Sequence, residues 1–137
     1  MRGQLKLNRK GFYKGSNVTF NPVTCEARSY DWWIFVSKIN GLVVFNNYSY
    51  SSTTCRHQSK VRSLLSDLGV NVDVTIEAPE GLQRLNLAER YYSQRIASLE
   101  TAMSNKGTHK AKNLERLQTQ QEYRAKLAQV QVLKGGK

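Results

Sequence analysis

Three lysines within seven residues, Lys106, Lys110 and Lys112, are followed by Arg116 and Arg124 in the same helix-like stretch. Cations strung along a helix can track a phosphate backbone and release its counterions, so this run is the first candidate for chemistry in the chain. Lys10 and Lys14 near the N-terminus, and Arg56 and Lys60 one helical turn apart, are candidates of the same kind. The competing reading is a solvated helical pair with ordinary ion pairs. Lys112–Glu115–Arg116 and Glu122–Lys126 have the spacing for it. Pairing cannot absorb the charge, because residues 80–137 hold eleven basic against five acidic groups.

Other constellations point to chemistry less strongly. Cys25, Cys55 and His57 supply three soft ligands, but a structural zinc site needs four in paired short spacings, and His109 falls at a helical tip. Cys55 and His57 also fail as a catalytic dyad, because residues two apart on a helix do not face each other. Asp73 and Glu77 share the polar face of an alternating strand and could hold Mg²⁺ in a nuclease. Asn71 and Thr75 beside them make that face read as solvent-exposed. No glycine-rich phosphate loop and no nucleophile elbow occurs. The expectation is therefore no catalytic residue, no metal and no cofactor: a protein that is not an enzyme.

Six aromatics crowd one short stretch: Trp32, Trp33, Phe35, Phe45, Tyr48 and Tyr50. Aromatics on strands can stack unpaired bases, yet in a small domain large rings are usually core. Tyr48 and Tyr50, next to Ser- and Thr-rich residues, are the two expected to be exposed and available for stacking.

The elements that must carry these groups follow from periodicity and turn chemistry. Asn40-Gly41 lies between two β-rich runs and predicts a hairpin, with Ile39 facing Leu42, Ser37 facing Val44 and Val36 facing Phe45. Val61, Leu64, Leu65 and Leu68 form one apolar stripe, so a helix is expected from about Thr54 to Leu68, stopped by Gly69. Val70 to Ala78 alternates and reads as a half-buried strand. Leu85, Ala88, Tyr92, Ile96, Leu99 and Met103 step by three or four, and a second helix is expected from about Lys110 to Leu133. The expected architecture is α+β: a small antiparallel sheet, made of the hairpin and one further strand, packed on one helix and followed by a long antiparallel helical hairpin. The expected organisation is a flexible basic arm over 1–17, a small α+β domain over 18–79 and the helical hairpin over 80–137.

Charge follows that division. The chain has 21 Lys and Arg against 10 Asp and Glu, a net of +11. Residues 1–30 contribute +5, residues 31–79 are neutral and residues 80–137 contribute +6. A neutral middle between basic ends favours a polyanionic partner over a small substrate. The longest strongly apolar run, Trp32 to Val36, is too short to span a bilayer, so no membrane association is expected. Two cysteines make no disulfide framework, and the N-terminus lacks an apolar run after its first basic residues, which together suggest a reduced, cytoplasmic setting.

The expected function is non-enzymatic association with nucleic acid, RNA or DNA, with the helical hairpin and N-terminal arm clamping phosphates. The alternative is a small inhibitor or adaptor that binds a larger nucleic-acid-processing complex, by analogy with accessory factors of phages and other mobile elements. The second helix motivates it, since Gln121, Ala125 and Ala128 dilute its apolar stripe. A homodimer through the C-terminal helices is a third arrangement compatible with that stripe.

Overall fold

The computed structural model describes residues 5–104 and 110–135, without the side chains of Lys110 and Ala111. The chain divides into two units, Met1–Arg84 and Leu85–Lys137.

The first unit is a seven-stranded sheet whose spatial order is its sequence order: β1 (Lys6–Leu7), β2 (Tyr13–Gly15), β3 (Val18–Asn21), β4 (Glu26–Ser29), β5 (Trp33–Ile39), β6 (Leu42–Asn46) and β7 (Val74–Ile76). β1 to β6 form an antiparallel meander, and β7 joins β6 in parallel. The reversal needed for a parallel pair is supplied by α1 (Ser52–Asp67), which carries the chain back along the sheet.

These elements arise from local chemistry. Asn40 and Gly41 both hold positive φ, 54° and 80°, and pair Ser37 with Val44 and Ile39 with Leu42 as the hairpin spacing requires. Ser51 caps α1 by accepting from the Thr54 amide at 3.1 Å. Gly69, at φ 73°, ends the helix, and the Val70 amide reaches back to the Leu65 carbonyl at 2.8 Å. Val61 and Leu65 of α1 pack into one core with Val18, Phe20, Ala27, Trp33, Phe35 and Phe45. The N-terminal half of the same helical stripe is buried but polar: Thr54, His57 and Gln58.

Buried polar groups fasten the parallel strand. The side chain of Asn46, fully buried, donates to the Ala78 carbonyl at 2.8 Å and accepts from the Ala78 amide at 2.9 Å and the Tyr48 amide at 3.0 Å. It thereby continues the β6–β7 ladder beyond the last strand pair. Gln58 of α1 donates to the Asn46 and Tyr48 carbonyls at 2.7 and 3.1 Å, tying the helix to the same point.

The second unit consists of α2 (Leu85–Ser104) and α3 (Lys110–Gly135). They run antiparallel, with Lys134 bonded to Glu89 at 2.8 Å and Arg124 to Glu100 at 2.9 Å, and with the Tyr92 and Tyr123 rings 5.9 Å apart.

This architecture corrects the expectation from sequence. The sheet is not a hairpin with one further strand: it has seven strands and is mixed. α1, the helix on which the sheet was expected to pack, is also the β6–β7 crossover, which makes that last pair parallel where an all-antiparallel sheet was expected. Residues 6–7 and 13–15, read as an arm, are its first two strands. A short strand near Gly11 to Lys14 is the one element the sequence offers inside that arm, and it overlaps β2; β1, two residues long and without apolar alternation, gives no such signal. β7 is shorter than the alternating run Val70–Ala78 suggested. Val70 and Val72 pack against the core without joining the ladder. Among the described residues no helix is long and apolar enough to cross a membrane.

Candidate nucleic-acid interface

The sheet presents two faces of opposite character. Val18, Phe20, Ala27 and Ser29 alternate toward α1, where the Ser29 hydroxyl meets His57. The residues between them face the other way. Register places Lys6 opposite Lys14, Lys14 opposite Thr19, Thr19 opposite Arg28, and Arg28 opposite Ile34. One rung across four strands thus reads Lys6, Lys14, Thr19, Arg28, all on the face away from α1.

Three local structures hold this face. Asn8 organises the β1–β2 turn: its side-chain oxygen accepts from the Lys10 and Phe12 amides at 3.0 and 2.9 Å, and its own amide donates to the Phe12 carbonyl at 2.7 Å. The backbone of Phe12 is therefore fixed just before β2, and the residue is 38% exposed. Gly15 lets the chain close behind it, because a Cβ there would meet the Leu5 side chain at 2.8 Å. Between β4 and β5, Tyr30 and Asp31 both adopt positive φ, 56° and 64°, an uncommon conformation for residues other than glycine.

Arg28 is the most constrained cation of the face. Its guanidinium bonds Glu26 Oε1 through two nitrogens at 2.8 Å each and the Asp31 carbonyl at 3.3 Å. Around it lies a cavity of 280 Å³ lined by Phe12, Thr19, Asn21, Glu26, Arg28 and Asp31.

The cations chosen from sequence are not all brought together. Lys14 lies on the rung, and Lys10 sits in the turn beside it. Arg56 and Lys60 lie on α1, which packs on the opposite face. In the helical unit Lys112 is exposed, Arg116 is half-buried and donates to Asn113 at 3.2 Å, and Arg124 is taken up by Glu100. Lys106 and the side chain of Lys110 lie outside the described residues, as does His109.

Of the two tyrosines expected to be exposed, Tyr50 is, at 54%, while Tyr48 is half-buried and packs on the core. Trp32, 43% exposed, meets Tyr50 edge-on with ring centroids 5.9 Å apart. Sequence reasoning did not single out Lys6, Arg28, Phe12 or Trp32 as site residues. The signal was present in Asn8-Arg9-Lys10-Gly11, a turn sequence with Asn first and Gly last, which implies a strand on either side.

The remaining chemical candidates have structural roles. Asp73 Oδ2 accepts from the Val43 amide at 2.8 Å, and its backbone amide donates to the Val43 carbonyl, so this carboxylate closes the edge of β6. His57 is buried, with Nδ1 2.7 Å from the Ser29 hydroxyl and its ring 5.5 Å from that of Tyr30. Burial holds its pKa below the ordinary 6.5 against a hydrogen bond to the Ser16 backbone, and the nearby charges of Lys60 and Arg56 push the same way as burial. Cys25 is buried, and desolvation raises its thiol pKa, only partly offset by Lys38, so it is a poor nucleophile. Cys55 Sγ lies 3.1 Å from the Ser49 hydroxyl. Among the described residues no group of three or more His, Cys, Asp or Glu side chains could hold a metal ion.

No protein-family model, curated protein or solved structure matches this chain.

Proposed function

We propose that this protein binds nucleic acid through its phosphate backbone and carries out no catalysis of its own. The observation that carries this reading is the charge surplus. If every one of the 10 acids took one of the 21 cations, eleven cations would still be unmatched. Both units share the surplus. Met1–Arg84 has eleven basic and six acidic residues, and Leu85–Lys137 has ten and four. Surplus positive charge on a folded protein draws a polyanion from a distance and contributes affinity without base specificity.

The test is binding of the full chain to single-stranded and duplex RNA and DNA between about 50 and 200 mM salt. A duplex held by six phosphate contacts loses about a thousandfold in affinity over that range. Absence of binding to all four polymers at the lower salt rejects the reading.

One observation favours a second reading, a small adaptor or inhibitor docked on a larger protein. Leu114, Leu117 and Val132 of α3 are 69%, 44% and 62% exposed. A complex driven by them is insensitive to salt and is weakened by Leu117→Ala or Val132→Ala, which leave nucleic-acid binding intact.

A further inference from the structure

The outer face of the first four strands gathers groups that no single stretch of sequence displays. Lys6 and Lys14 stand directly opposite one another across an antiparallel pair. Like charges so placed oppose folding, and the same rung offers them Thr19 and then Arg28, but no acid. From Lys6 to Arg28 the rung crosses three strand spacings, about 14 Å. Arg9 and Lys10 add two more cations in the turn that joins β1 to β2.

The other end of this face is built differently. Arg28 is clamped by Glu26 and by the Asp31 carbonyl, so its guanidinium plane is fixed before any ligand arrives. The exposed ring of Phe12 lines the same 280 Å³ cavity. Unstacked bases lie on aromatic rings and on guanidinium planes alike. Glu26 and Asp31, the two acids of the cavity, disfavour a phosphate there. The face therefore separates two chemistries: cations without an opposing acid at the β1–β2 end, planar groups at the β4 end.

We propose that the outer face of β1 to β4 seats a single-stranded nucleic acid, with one base in the Phe12–Arg28 cavity and its flanking phosphates on Lys14 and Lys6. The inference rests on the nucleic-acid reading above and narrows it to a strand whose bases are unpaired, since a duplex hides the base faces this cavity needs.

The experiment is fluorescence anisotropy of the full chain with a labelled single strand of about ten nucleotides and with the matching duplex, across a salt series. Wild type is expected to bind the single strand more tightly. Phe12→Ala weakens that binding about tenfold, as loss of one stacked base should. Lys14→Glu also weakens it and makes the log–log salt slope shallower by about 0.7, one single-strand phosphate contact. Because Lys14→Glu places an opposite charge across from Lys6, its thermal midpoint is expected to rise or stay level, which separates lost binding from lost folding. If both variants bind like wild type while Lys106→Glu/Lys110→Glu/Lys112→Glu abolishes binding, this inference is overturned and the nucleic-acid reading stands. If wild type binds no polymer, the reading fails and takes the inference with it. A preference for duplex over single strand overturns the inference alone.

Discussion

The two units of this protein carry nearly the same surplus of positive charge and hold it in different ways. In the helical unit, Arg124 and Lys134 each meet a glutamate of the facing helix, so part of the charge staples α3 to α2. In the sheet unit, register lines up Lys6, Lys14 and Arg28 on one rung, and Glu26 engages only the last of them. The sheet unit also has the larger buried core, with Trp33, Phe20, Phe35, Phe45, Val36 and Val44 all under 2% exposed. A rigid core behind a charged face is what allows that face to keep like charges opposed. The lesson is that net charge does not locate a binding surface. The location depends on which cations the fold leaves without an internal acid.

The contrast can be broken most directly through stability. Phe45→Ala in the sheet core is expected to cost about 3–5 kcal/mol, whereas Leu114→Ala on the exposed side of α3 should stay within about 0.5 kcal/mol. Urea or thermal unfolding of the two variants checks it. Equal losses would mean that the helical unit is as tightly packed as the sheet.

A smaller effect is expected at Asn46. Replacing it by Ala orphans the Ala78 amide and carbonyl at the end of the parallel pair, for about 2–3 kcal/mol. Hydrogen exchange should show the loss concentrated at β7 and its flanks, with α2 and α3 unaffected.

The smallest predicted change is with pH. Burial depresses the pKa of His57 in the folded state below its ordinary 6.5. The unfolded chain then binds more protons between those two values, so stability is full above about pH 6.5 and declines as the pH falls through the window toward the folded-state pKa. Thermal midpoints measured from pH 8 to pH 5 should fall on the acid side, and His57→Gln should flatten that dependence. A midpoint that rises on acidification would contradict the assigned environment of this histidine.

How much of this was legible beforehand depends on the kind of signal. Asn40-Gly41 fixed both a turn and a register, because two positive φ values in succession leave few alternatives. The three helices could be located because apolar residues at helical spacing, Ser51 as a cap and Gly69 as a stop are local features. The parallel placement of β7 was not read, although a helix between two strands permits it. The deciding groups, Asn46 and Asp73, act across 32 and 30 residues of sequence. The candidate face was the least legible part. Lys6, Lys14 and Arg28 become neighbours only when three turns set the register, and each looks ordinary where it stands in the sequence.

The most direct test of the central claim is the salt dependence of single-strand binding by the full chain. Four phosphate contacts, on Lys6 and Lys14 and on the two turn cations Arg9 and Lys10, give a log–log slope of about −2.8, or roughly fiftyfold weaker binding between about 50 and 200 mM salt. A slope of that size, made shallower by Lys14→Glu, is the expected result. Binding with a flat slope, or none at the lowest salt, would contradict the claim and turn attention to the exposed apolar residues of α3 as a protein-docking surface.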